Sequence, residues 1–276
     1  MDANKDQTSI LGNAKPSQAI VKLALPATLA LLAKAVYNIV DTAYIGMLGS
    51  DIALTAVGVT VPLLLIMVSI ENIFAAGAAV LAGRQLGAKD EEGASRTVTT
   101  IIGLSIVIGA VLCVGGIVFI EPLMRAFGAS DASLSLAEDY AFLMFVAALA
   151  NLPAQSMNCA ARAESSVKIS SIAVITGALL NVVLDPIFMF DWGLGMGVEG
   201  ASLATTVSQF VTFFILAWFY LSGRSVIKLH LGSFRPSWKL IKTVTVIGVP
   251  TAVIQICLSV ASSLTNIAAA PLPDAD

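Results

Sequence analysis

The sequence predicts an all-α, polytopic membrane protein: a six-helix transmembrane bundle followed by a seventh helix. Three observations lead there. Hydrophobic residues make up 57% of the 276-residue chain and charged residues only 12%, against about 25% charged in soluble domains. Mean hydropathy is +0.90. Apolar runs of roughly 20 or more residues, enough to cross about 30 Å of hydrocarbon as a helix, recur along the whole chain.

The opening MDANKDQTSILGNAKP is polar and lacks the short basic region and 7 to 15 apolar residues of a signal peptide, so 1–17 reads as a cytoplasmic tail. The first span, about 18–46, is too long for a signal sequence and carries Pro26, Lys34, Tyr37, Asn38 and Asp41. The second, about 53–82, holds Glu71 and Asn72, which either line a cavity or cap a break in the helix. The third and fourth spans, about 96–119 and 135–158, are almost uninterrupted. The fifth, about 169–190, contains 178-ALLNVVLDPIFMF-190, with an amide, a carboxylate and a proline within six residues. The sixth, about 198–221, begins 198-VEGASLATTVSQF-210, and a seventh covers about 240–269. Short connections rich in Gly, Ser and charge make neighbouring helices antiparallel. Gly77, Gly83, Gly115, Gly116 and Gly177 read as close-packing positions. Met67, Met144, Met157 and Met189 suit either a core or an adaptable cavity.

Of the 15 Lys and Arg, only Arg125 falls on one side of the predicted topology, and Lys34 lies inside a span. The rest share the side of the N-terminus, which the positive-inside rule makes cytoplasmic. The basic stretch 222–239 separates a six-helix N-lobe, 18–221, from the seventh span. The similarity of 18-QAIVKLALPATLALL-32 to 242-KTVTVIGVPTAVIQI-256, each with a proline about eight residues into a span, reads as a repeat. On that reading 222–239 is an inter-lobe linker and 240–276 starts an incomplete, C-terminally truncated second lobe, ending in 271-PLPDAD-276.

Cys113, Cys159 and Cys257 lie in apolar runs without metal-site or disulfide spacing. His230, the single histidine, sits in a polar loop. No nucleophile and base pair is visible, so an enzyme is not expected. The composition also excludes nucleic-acid binding, and no cofactor is indicated beyond a coupling ion.

Asn181 and Asp185 are four residues apart and project from one helix face. Pro186 lacks an N–H, which frees the carbonyl of Val182 beside the carboxylate. A carboxylate near mid-helix costs about 2.5 to 3.5 kcal/mol on insertion scales, so it normally faces the protein interior and serves a pathway or a relay. Asp41, three residues after Asn38, lies about 10 to 12 Å below the outer end of its span, and Asp185 lies at similar depth. Thr205 and Thr206 reach comparable depth in the sixth span. One outer-half polar cluster of Asp41, Asn181, Asp185 and a threonine follows. Such a pair of carboxylates can share a proton, and the same oxygens suit sodium; the residues leave that choice open. Lys34, Tyr37, Asn38, Glu71 and Asn72 are candidate cavity or substrate contacts.

These residues resemble the multidrug and toxic compound extrusion (MATE) transporters. The resemblance rests on 24-ALP-26, 37-YNIVDTAYIG-46, 82-AGRQLGAKDEEGA-94 as a short inner loop, 160-AARAESSVKIS-170, 181-NVVLDPIF-188 and 195-GMGVEGASLATTVSQ-209, and it runs from about 17 to 269. It implies twelve helices in two pseudosymmetric lobes around a cavity of alternating access. It also implies export of cationic, amphipathic or hydrophobic compounds against inward flow of protons or sodium, in the cell membrane. Carried over, the coupling site falls on Asp41, Asn181, Asp185 and a sixth-span threonine, for which Thr206 is preferred, with Pro26 as a hinge and Pro186 as a kink. Lys34 departs from the family, where a neutral residue such as Gln is common. The end within the seventh helix is a second departure, and it calls for a second lobe or a second copy as partner. The competing readings are a non-transporting membrane fragment and a lipid-linked oligosaccharide flippase of the same superfamily. The flippase would want a strongly basic cavity, and only Lys34 is basic and deep.

Overall fold

A computed structural model of the chain describes residues 16–230, 232 and 234–269. Most of the predicted N-terminal tail and the terminal PLPDAD lie outside the described residues. The described chain is helical: α1 (Pro16–Met47), α2 (Asp51–Gly87), α3 (Glu91–Val118), α4 (Ile120–Ala126), α5 (Leu134–Ala163), α6 (Val167–Met189), α7 (Val198–Leu221) and α8 (Trp238–Ala269). Seven of these are long and apolar enough to cross a membrane, and they coincide with the seven predicted spans. The protein is a multi-span, all-α membrane protein.

The boundaries differ where polar residues prolong helices. α2 continues through Gly87, so the inner loop expected at 82–94 shrinks to Ala88–Asp90, where Lys89 takes φ 62°. Asp90 then caps α3, its carboxylate accepting from Gly93 N at 2.8 Å. Because α2 also runs unbroken past Glu71 and Asn72, neither residue caps a break. α4 was not anticipated. It is a single short helix at the sparsely basic end, where Arg125 bridges Glu121 at 3.0 Å and Asp131 at 2.9 Å.

α5 is central, packing against α2, α3 and α7, while α1 lies on α6 and α6 on α7. Its buried face is dominated by alanine, including Ala141, Ala148, Ala150, Ala154, Ala160 and Ala161. Small side chains let helix backbones approach closely in a medium where the hydrophobic effect does not drive association. α8 lies along α2, with Ser259 Oγ donating to Pro62 O at 2.8 Å and Asn266 Nδ2 to Gly58 O at 3.0 Å. At their crossing a Cβ on Gly77 would fall 2.1 Å from Val244 O, and one on Gly248 would fall 1.9 Å from Ile73 O. Gly116 and Gly177 are similarly confined, whereas Gly83 and Gly115 have room. Met67, Met157 and Met189 are buried in the core and Met144 packs against it; none lines the interior cavity.

The basic segment between α7 and α8 is a strap held on the bundle's basic end. Ile227 is fully buried. Glu164, at the α5–α6 turn, accepts from Ser225 Oγ at 2.6 Å and Ile227 N at 3.1 Å. Lys228 N donates to Ser95 Oγ at 3.0 Å. Burial pushes the Glu164 carboxyl above the ordinary carboxylate range, with the bonds from Ser225 and Ile227 pulling the other way.

Candidate functional site

α1, α6 and α7 converge on a polar cluster in the half of the bundle away from the strap. Asn181 and Asp185 share one face of α6 at 2% and 0% exposure. Asn181 Nδ2 donates to Asp185 Oδ1 and to Thr205 Oγ1, both at 3.1 Å. Asp41 comes from α1 and lies within electrostatic reach of Asp185, as the common depth of the two aspartates predicts. Three buried oxygens in this cluster have no hydrogen-bond partner: Asp41 Oδ1, Asn181 Oδ1 and Asp185 Oδ2. An unpaired buried oxygen costs free energy, about 1 to 3 kcal/mol for a neutral group and more for a charged one. Three of them in one cluster form a donor set for a proton or for a hard cation, which prefers oxygen ligands.

The sixth-span threonine in this cluster is Thr205. Thr206, preferred on the family resemblance, turns away: its hydroxyl lies 3.0 Å from Leu143 O and 2.8 Å from Ser202 O. The two are adjacent on a helix and so point about 100° apart, an ambiguity that depth alone cannot resolve. Asn38 is exposed and Asn72 half-buried, and neither lines the cavity. In α1 a residue three before Asp41 is offset in angle, and here the offset carries Asn38 off the site. Pro26 and Pro186 both lie inside continuous helices.

Tyr37 stands within electrostatic reach of Asp41, Asp185 and Glu71. Tyr140 on α5, which sequence reasoning missed, lies beside Asp41, Asp185 and Tyr37. No local pattern marks it, because its place depends on how α5 packs against α1 and α6. One turn beyond Asp41 and Asp185 along their helices, Ile45 and Met189 pack with Val198 in a buried apolar cluster, and Tyr44 and Phe190 make an edge-to-face contact at 6.0 Å.

Toward the strap end the cluster meets a cavity of about 120 Å³, lined by Lys34 and Tyr37 of α1, Glu71 of α2, and polar stripes of α5, α6 and α7. Asn151, Gln155, Asn158 and Arg162 recur at helical spacing on α5 and all line it. Asn181 and Thr205 belong to both cavity and cluster.

Buried carboxylates beside an internal polar cavity in a membrane-embedded helical bundle are an arrangement that recurs in membrane transport proteins. The comparisons with known proteins agree. The MatE family model matches residues 26–187, and the chain belongs to that family, a family of transporters rather than enzymes. It is 25% identical over 250 residues to the multidrug export protein MepA of Staphylococcus aureus (strain bovine RF122 / ET3-1), covering 91% of this chain and 55% of MepA. Among solved structures it is similar to a MOP superfamily transporter from Pyrococcus furiosus, described as having a binding pocket of reverse polarity that suggests a different function. There the TM-score is 0.83 at 28% identity, over 94% of this chain and 59% of that one. A multidrug resistance MATE family transporter in its outward-facing conformation matches with TM-score 0.82 at 29% identity, over 90% of this chain and 55% of that one. The chain thus spans about half the length of the curated relatives it matches.

Proposed function

We propose that this chain forms the ion-coupling lobe of an antiporter that expels amphipathic or cationic organic compounds from the cell, driven by inward flow of protons or sodium. The observation that carries the proposal is the set of unpaired buried oxygens on Asp41, Asn181 and Asp185. Asn181 and Thr205 connect that set to the cavity, so occupancy of one alters the electrostatics and hydrogen bonding of the other. Such a shared boundary gives the two sites a direct route for coupling. Tyr37, beside both aspartates and Glu71, extends it.

On this reading the six spans to Leu221 are the N-lobe, the strap is the inter-lobe connection, and α8 opens a second lobe in a twelve-helix assembly. The remaining helices come from a longer chain or from a second copy. The basic end faces the cytoplasm, in accord with the Lys and Arg distribution, and the cell membrane is the site of action. Pro26, on α1 below the cluster, is the hinge through which the ion state reaches the cavity.

The test is accumulation of a fluorescent lipophilic cation in cells stripped of their own exporters. The chain is expressed alone, or with a second six-helix lobe. Lower accumulation that is abolished by Asp41→Asn and by Asp185→Asn is the expected result. Export that both variants leave intact would contradict the proposed coupling.

A further inference from the structure

The cavity's charges are of both signs. Glu71 is buried on α2, its Oε1 accepting from Asn151 Nδ2 at 2.5 Å. Lys34, on α1, faces the same cavity within electrostatic reach of Glu71. No ion pair within 4 Å joins the two among the described residues, so each keeps capacity for a ligand. Arg162 adds a second cation toward the strap end, about 16 Å along α5 from Asn151. Ser171 Oγ and Ser208 Oγ also line the cavity, and both are buried hydroxyls without a hydrogen-bond partner. A wall with only a carboxylate would select a cation, and a wall with only a lysine an anion. Here both line one cavity, with unsatisfied hydroxyls in the same lining.

We infer that Glu71 and Lys34 form a charge-matched subsite for a zwitterionic organic substrate, Glu71 receiving the cationic nitrogen and Lys34 the anionic group. Asn151 positions the Glu71 carboxylate by fixing one oxygen and leaving the other for the ligand. Ser171 and Ser208 supply hydroxyls to polar atoms along the ligand's length. Lys34 is the discriminating residue: a simple cation gains nothing from it, and a zwitterion gains a second charge-assisted contact. The inference rests on the cavity being the transported compound's site, but it does not depend on ion coupling.

The experiment measures binding to the full chain in nanodiscs at constant pH, with no gradient. The probes are three dansyl compounds of matched size bearing a trimethylammonium, a carboxylate or both. The betaine should bind about tenfold tighter than either singly charged probe. Lys34→Gln should bring the betaine down to the trimethylammonium level and leave the latter unchanged. Glu71→Gln should weaken both by about tenfold. Should Glu71→Gln fail to fold, Lys34→Glu decides, because it changes an exposed side chain and should reverse the preference toward the trimethylammonium probe. Equal binding of all three probes, or a betaine preference that survives both Lys34 variants, overturns the inference. Binding is read at equilibrium without an ion gradient, so failure of the coupling account and failure of this one are read separately.

Discussion

Asn181 Nδ2 lies 3.1 Å from Asp185 Oδ1, one turn along α6, and this amide and carboxylate organise the buried cluster. The amide spends both of its N–H groups, on Asp185 and on Thr205, and keeps its own carbonyl oxygen unpaired. It therefore holds the other oxygen donors in place while contributing one itself.

Replacing that amide with a nonpolar isostere should be costly in two ways. Asn181→Leu leaves Asp185 Oδ1 without its donor, a loss of about 1 to 3 kcal/mol in stability. It should also weaken ion binding at least tenfold. Thermal unfolding in detergent and equilibrium ion binding check the two effects separately.

Thr205 and Thr206 offer a finer test, since they are neighbours with different partners. Thr205→Val should reduce ion affinity several-fold with little change in stability. Thr206→Val should cost about 1 kcal/mol of stability through its lost bonds to Leu143 and Ser202, with ion affinity unchanged. The same two assays on both variants distinguish these outcomes.

The α2–α8 crossing depends on absent side chains. Gly77→Ala places a Cβ against Val244 O and should destabilise the protein by about 1 to 3 kcal/mol, with separation of the two helices seen as loss of a cysteine crosslink between them. Gly115→Ala meets open space and should fall within about 0.5 kcal/mol of the parent.

Docking of the strap should depend on pH through Glu164. Its pKa is raised in the docked state, chiefly by burial, so the docked state binds a proton more readily than the undocked one. The sign follows: docking is strongest below the ordinary carboxylate range and weakens as pH rises through the raised value. Hydrogen exchange at Ile227 N–H should therefore reveal more opening as pH rises through that window, after correction for the intrinsic pH dependence of exchange. Glu164→Gln should flatten the corrected profile.

The seven spans were legible because length and apolarity alone select them, and a membrane leaves few alternatives to helices. The carboxylates were legible for the complementary reason: a charge inside an apolar run has no cheap explanation. Depth arithmetic brought Asp41 and Asp185 to one level, since both are counted from loops on the same side. The same arithmetic could not separate Thr205 from Thr206, which differ in azimuth rather than height. Asn38 failed for that reason too. Glu71 was visible as an anomaly but its partner was not, because Asn151 is 80 residues away and meets it only through the packing of α2 on α5. From composition the strap reads only as a basic inter-lobe linker. Its docking depends on Glu164, a carboxylate that the sequence places in an ordinary polar turn.

The most direct measurement is ion binding by the purified chain in nanodiscs, read as 22Na⁺ retention and as proton release on sodium addition in weak buffer. The account predicts saturable sodium binding or a releasable proton in the parent. Either signal should be lost in both Asp41→Asn and Asp185→Asn and kept in Glu71→Gln. A signal that survives both aspartate variants, or the lack of either signal in a folded parent, would contradict the assignment of these oxygens as the ion site.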